Sequence, residues 1–394
     1  MSTERPGPPE LEAAVQCLPL VDHHVHGALR QDVDRDALER MLTESDRPIP
    51  SWMTQFDSQV GFAVRRWCAP VLGLQAAATP EQYLTRRQAL GAAEVTRRLL
   101  GASGVSDYVL ETGHRGDDVL DLAGMAAASG ARAHEVVRLE SVGEDLAGTG
   151  VGAEEFADRY PEVLATRTRQ AVGCKSIIAY RHGFCFDPDR PRRAEVVRAA
   201  DAWLRSSPPP AVARLDDPVL LRFVLWAAVD RGLPLQLHVG YGDPDLRLDR
   251  CDPLLLTDWI KHVEPHGLDV LLLHCYPYQR HAGYLAQVFP HVYFDVGLAV
   301  NYTGARADSI IAESLELAPF AKVLFSSDAW GPPELHHLGA LLWRRGMSRV
   351  LGRWVQDGDW SAQDAVRVTE MIGRNNARRI YRLDDRPAPD GDLG

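Results

Sequence analysis

Residues 18–26 read Leu-Pro-Leu-Val-Asp-His-His-Val-His, and the interpretation of this short run governs the rest. Apolar residues that give way to polar ones suit a strand buried along its length and emerging at its C-terminal end. Residues two apart in a strand share a face, so His24 and His26 project together while His23 points the other way. Two imidazoles on one face are half of a site for a metal that accepts nitrogen ligands. The plain alternative is a pair of polar residues closing a strand, and the pair alone does not choose between the two.

Working outward, runs of the same character recur at 107–112, 131–139, 172–179, 233–239, 268–274, 291–297 and 322–328. Amphipathic stretches separate them. The clearest runs from Asp217-Pro218 to Arg231-Gly232, with a capping carboxylate, a proline at the first helical position and a glycine past the end. Eight strands alternating with helices predict an α/β fold, a (β/α)8 TIM barrel, although an open doubly wound sheet shows the same alternation. Residues 28–105 contain no good strand and read as a mostly helical insertion after the first strand, covering the barrel mouth. One domain spanning 1–394 is expected, ending in a polar tail at 383–394.

The chain has 394 residues and a net charge of −11, which argues against general affinity for nucleic acid or an anionic membrane. No stretch approaches the roughly 20 apolar residues that span a bilayer. The start, with prolines and acidic residues, lacks the basic and apolar regions of a secretory signal, so a cytoplasmic location is expected. Six cysteines (Cys17, Cys68, Cys174, Cys185, Cys251, Cys275) form no CxxC pair and read as reduced, mostly buried thiols. The Trp-containing segments Leu341–Trp343 and Arg353–Trp354 hint at a homo-oligomer.

The other strand ends sharpen the first one. His238 closes Leu-Gln-Leu-His, His274 closes Leu-Leu-Leu-His, and Asp328 closes Leu-Phe-Ser-Ser-Asp. All fall where barrel enzymes keep their active sites, so a metal held by His24, His26, His238 and Asp328 is expected. The whole pattern resembles the amidohydrolase superfamily: HxH after the first strand, Lys after the fourth, His after the fifth and sixth, Asp after the eighth. The segments 173–181, 236–243, 273–278 and 372–381 are similar to the branch related to the N-terminal domains of glutamine-synthetase-like, nodulin-type proteins, whose synthetase half is missing here. The resemblance implies a divalent metal, zinc foremost with manganese or iron as alternatives, and one or two ions. It also implies that Asp328 accepts the proton of an attacking water and returns it to a leaving nitrogen. His274 would be a ligand of a second metal or a proton donor.

Lys175 is ambiguous. As an ammonium it cannot ligate; carbamylated, as in many relatives, it would bridge two metals. Arg181, with Tyr180 beside it, suits two-pronged capture of a substrate carboxylate, against the alternative of a structural salt bridge, and Arg138 is a further anion candidate. Asp243 and Tyr276 are weaker substrate-binding candidates. His114 and His182 lie near strand ends, and His336 and His337 read as surface or interface residues. The expected activity is hydrolysis of an amide or related C–N bond in a small carboxylate-bearing substrate. Decarboxylation of an aromatic or unsaturated acid, and a barrel that binds metal without catalysis, are the competing readings.

Overall fold

The computed structural model describes residues 8–114, 116–206 and 214–385. Its sheet comprises β1 (Leu20–Val25), β2 (Val105–Glu111), β3 (Arg132–Arg138), β4 (Gly173–Ser176), β5 (Leu235–His238), β6 (Val270–Leu273) and β7 (Val292–Phe294). Strands adjacent in sequence are adjacent in the sheet, and every pairing is parallel. Parallel neighbours require a crossover, and at least one helix lies between each consecutive pair. The strands β1, β4, β5, β6 and β7 are buried throughout, which accounts for their continuous apolar runs. The expected helix runs over Pro218–Arg231: Asp217 accepts from the amides of Val219 and Leu220, and Gly232 takes the left-handed conformation at φ +67°.

The run at 322–328 departs from expectation, because it forms no ladder and carries only an isolated bridge between Val323 and Phe294. It nonetheless lies between the two edge strands. Leu324 N donates to Phe294 O on β7, His23 N on β1 donates to Phe325 O, and Asp328 N donates to His24 O. The backbone amide of Ser327 is spent on a side chain, donating to Asp22 Oδ1 at 2.9 Å, and the serine hydroxyls bond buried carboxyl groups as well, Ser326 to Asp295 at 2.7 Å and Ser327 to Asp22 at 2.5 Å. Asp328 itself sits at φ +48°. The run at 172–179 is likewise cut short. Glu140 accepts from Ser176 Oγ and Ile177 N, and the chain turns into a short helix, Ile178–Arg181.

Between β1 and β2 the chain is helical, as expected, with Pro80–Leu90 and Ala92–Gly101 the longest pieces. This material is tied to the long helix Pro333–Gln356 by a buried group: Tyr83 Oη and Arg87 Nε both donate to Glu334 Oε1 at 2.9 Å. His336 and His337 lie on that helix and are buried, not at the surface; His336 Nε2 lies 2.9 Å from His26 O. Trp343 is also buried, against Phe325 at 5.1 Å, and Trp354 packs on Trp360. Both tryptophans of the segments that hinted at self-association thus have partners within the chain. All six cysteines are free, four of them buried. The expected tail begins as a turn at Leu383–Asp385 with Leu383 buried, and 386–394 lie outside the described residues. No helix among the described residues is long and apolar enough to cross a membrane.

Removing one partner of a buried ion pair leaves an uncompensated charge. Glu334→Ala is therefore expected to lower the unfolding free energy by about 3–5 kcal/mol, read by denaturant titration. A change within about 0.5 kcal/mol, the range of ordinary surface substitutions, would mean that the Arg87–Glu334 pair does not anchor the segment.

Candidate metal centre

Every strand of the sheet delivers a polar side chain at its C-terminal end, including Glu111 on β2, Arg138 on β3, Lys175 on β4, His238 on β5, His274 after β6 and Asp295 after β7. The donor atoms of His24, His26 and Asp328 come together within 4.8 Å of one another. Asp328 Oδ1 lies 2.9 Å from His24 Nε2 and 3.9 Å from His26 Nε2, and its other oxygen is 3.6 Å from His274 Nε2. His238 stands one ring further out, edge-on to His274 with ring centroids 4.2 Å apart and tilted against Tyr180 at 4.4 Å. It shares the neighbourhood but falls outside the tight trio.

The electrostatics suit neutral imidazoles. Burial, reinforced by the charge of Lys175, pushes His24 and His26 well below the ordinary histidine range, and burial with His274 does the same to His238. His274 is pushed down to about 4, chiefly by burial, against the pull of Asp328 and Asp295. Neutral imidazole is the form that ligates. Several buried ring nitrogens also find no partner among the described residues: His24 Nδ1, His238 Nε2 and both nitrogens of His274. Buried polar atoms are normally satisfied, so this concentration around one carboxylate fits a divalent cation. His24, His26 and Asp328 are the residues that would hold it.

Residues behind the trio fix its positions. Asp295, fully buried, accepts from His274 N at 2.9 Å, Gly297 N at 2.8 Å and Ser326 Oγ at 2.7 Å, and its other oxygen lies 2.9 Å from His23 Nε2. Burial alone would raise its pKa, but the hydrogen bonds from His23 and Ser326 and the positive neighbours hold it well below the usual carboxylate range. A Cβ on Gly297 would stand 2.0 Å from Ser326 Oγ, so only glycine lets this junction close. His23 also reaches Tyr381 Oη at 3.1 Å, on the side away from His24, as its phase in the strand requires. His274 and Asp328 both have positive φ, +47° and +48°, a conformation that costs non-glycine residues of order 1–3 kcal/mol and collects at functional sites.

A cavity of about 1020 Å³ opens over this group, its walls including His26, Lys175, His238 and Asp328. Lys175 faces it with Nζ 2.9 Å from His24 Nε2, and burial draws its pKa down. Tyr180, Arg181, Asp243 and Arg138 also line the cavity, but both arginines are already engaged. Arg138 pairs with Glu111, and Arg181 with Glu144 at 3.0 Å. Each keeps a buried Nε without a partner among the described residues. Tyr276 is not on the wall; its ring packs edge-on against Tyr241 at 5.5 Å. His114 does line the cavity, 5.6 Å from His26, whereas His182 does not.

Four residues escaped the sequence reading. Glu111 and Asp295 each end an apolar run, Tyr-Val-Leu-Glu and Val-Tyr-Phe-Asp, so the criterion that selected His238 would have found them too. Glu44 and Tyr302 come from segments with no strand to mark them, and only the tertiary structure brings them to the cavity.

The amidohydrolase family model matches residues 123–383. Protein fluG of Emericella nidulans is 34% identical over 227 residues, which is 55% of this chain and 26% of that protein; the chain thus spans about a quarter of that relative's length. A crystal structure from Lactobacillus casei, provisionally named a metal-dependent hydrolase, superposes with a TM-score of 0.84 at 28% identity, covering 95% of this chain and 98% of the other. A uronate isomerase of Bacillus halodurans (TM-score 0.62, 15% identity, 95% of each chain) and a glucuronate isomerase of Caulobacter crescentus (0.61, 17%, 98% of each) share the fold. By the extent of the family match, the chain belongs to the amidohydrolase family and is an enzyme of the metal-dependent hydrolase kind.

Proposed function

We propose that the protein hydrolyses an amide or related C–N bond in a small carboxylate-bearing molecule, on a (β/α)8 barrel whose eighth stave is the stretch 323–328 and whose mouth is covered by the helical segment 28–105. The observation that carries this reading is the convergence of two neutral imidazoles and a carboxylate, His24, His26 and Asp328, beside a cavity of small-molecule size. His238 is the remaining ligand candidate. The nitrogen and oxygen donor set suits zinc, and also manganese or iron. Bound there, a divalent cation supplies Lewis acidity at neutral pH. The protein's own groups do the rest. Burial raises the Asp328 carboxyl above its ordinary range, which suits it to take a proton from water and pass it to the leaving nitrogen. His274, 3.6 Å from the other oxygen of Asp328, would serve as the proton donor.

Arg181 supports the carboxylate. One arm is held by Glu144, which fixes the guanidinium in place, and its Nε remains to be satisfied. The single-metal version is favoured over the binuclear one because only one trio of ligating groups gathers among the described residues.

Four outcomes are expected. Replacing both His24 and His26 with alanine should remove bound metal, measured by elemental analysis, from a protein that still melts cooperatively. A metal-replete, active double variant would overturn the site. Metal analysis of the wild type should return about one equivalent, unaffected by bicarbonate during reconstitution, since a buried ammonium repels a second cation; two equivalents that depend on bicarbonate would assign Lys175 as a carbamate. Across a panel of small amides, release of amine or ammonia without CO₂ is expected, and Arg181→Lys should weaken carboxylate-bearing substrates by about 1–3 kcal/mol. Unchanged kinetics in that variant would make Arg181 purely structural.

A further inference from the structure

The charges on the cavity wall are unevenly matched. Arg138, Arg181 and Arg214 are each held by a protein carboxylate, Glu111, Glu144 and Asp245 respectively. Glu44 and Asp243 have no such counterpart: among the described residues neither makes an ion pair, although both line the cavity, as does Arg40. Glu44 lies on the segment between the helix Arg35–Arg40 and the turn Gln55–Asp57. The base of that segment is closed by Glu39, whose carboxylate accepts from Arg35 Nε, Thr54 Oγ1 and Gln55 N, each at 2.7 Å. Glu44 is thus presented by a braced segment.

Around its carboxyl the groups are aromatic and hydroxylic, with the carboxyl groups of Asp328 and Asp243 within electrostatic reach. Tyr302 Oη donates to Glu44, and Tyr302 lines the cavity with Tyr180. Tyr241 meets Tyr302 edge-on, with ring centroids 6.2 Å apart, and its buried hydroxyl has no partner among the described residues. Tyr180 is held close by the backbone: a Cβ on Gly242 would lie 1.9 Å from its hydroxyl oxygen, which accepts from Asp243 N. A carboxylate set among tyrosines, with an unsatisfied hydroxyl beside it, is a receptor for a cation that carries several donors.

We infer that Glu44, with the hydroxyl of Tyr302, binds an ammonium group of the substrate, which narrows the substrate class to amides that carry an amine as well as a carboxylate. The inference rests on the hydrolase reading for what is cleaved, but not for what is bound. Burial, together with the charge of Asp328, pushes Glu44 up to about 7, and an arriving ammonium would offset both penalties.

The test uses calorimetry on the full-length, metal-loaded protein. The probes are ω-amino acids from 3-aminopropanoate to 6-aminohexanoate, each against the parent acid without the amine. One chain length should bind about tenfold or more tightly than its parent acid, as one charged hydrogen-bonded contact allows. In Glu44→Gln, which keeps the shape, that advantage should fall to within about twofold while the parent acid binds as before. Tyr302→Phe, which leaves the ring in place, should reduce the advantage partly and serves if Glu44→Gln fails to fold. An amine advantage absent at every length, or intact in Glu44→Gln, overturns the inference. Turnover is scored separately. Hydrolysis of amides with no amine preference sinks the role of Glu44 and leaves the hydrolase reading. An amine preference lost in Glu44→Gln, with no amide turned over, does the reverse.

Discussion

The carboxyl of Asp22 grips Ser327 twice, accepting from its amide at 2.9 Å and meeting its hydroxyl at 2.5 Å, and the rest of the centre depends on this clip. Asp328 is the next residue, and its distance from His24 and His26 is set by how the stretch 323–328 lies against β1. That stretch has no regular ladder to hold its register, so side chains must supply what strand pairing does elsewhere. Burial, with the charges of Asp295 and Asp328 in support, pushes the Asp22 carboxyl up to about 8. That shift favours the neutral acid, and a neutral hydrogen-bonded acid costs far less to bury than a charge. Asp295 does the complementary work on the other flank, fixing Ser326 and the backbone of His274.

Between these two carboxyl groups the chain adopts conformations it would otherwise avoid. The positive φ angles of His274 and Asp328 are tolerated because the surroundings over-determine them. His274 N is held by Asp295, and Asp328 N by His24 O. The outcome is a cluster of imidazoles kept neutral by burial, with Lys175 adding a positive charge close by. Such a cluster loses stability by leaving its nitrogens unsatisfied, which makes sense where a cation completes it.

The segment between β1 and β2 plays a different part. Its anchor is the buried Glu334 group on the long helix, and its contribution to the cavity includes Met41, Thr43 and Glu44. The sheet thus positions the reacting centre, while the added helices shape one side of the space above it. Division of labour of this kind lets one scaffold serve many substrates, since the loops change while the strand ends stay.

The order of the elements was legible from the sequence, because apolar runs ended by single polar residues record strands buried on both faces and open at one end. His24, His26, His238, His274 and Asp328 were readable for that reason, and so in principle were Glu111 and Asp295. The cap at Asp217 and the left-handed Gly232 could be read as well, since both are local. Pairing could not be read. Whether Arg138 and Arg181 are free or already matched depends on Glu111 and Glu144, which lie on other elements. The failure of 322–328 to form a ladder reflects a backbone amide, Ser327 N, taken by the Asp22 carboxyl on β1. The burial of His336, His337 and Trp343 follows from how a long helix packs, and its sequence alone leaves that open. Glu44 reaches the cavity on a segment without periodicity, held in place by contacts with Glu39. Sequence by itself determined what repeats along the chain, because periodicity is set by backbone geometry. Tertiary structure alone decided which charges meet, because a partner's identity depends on distances between residues far apart in the chain.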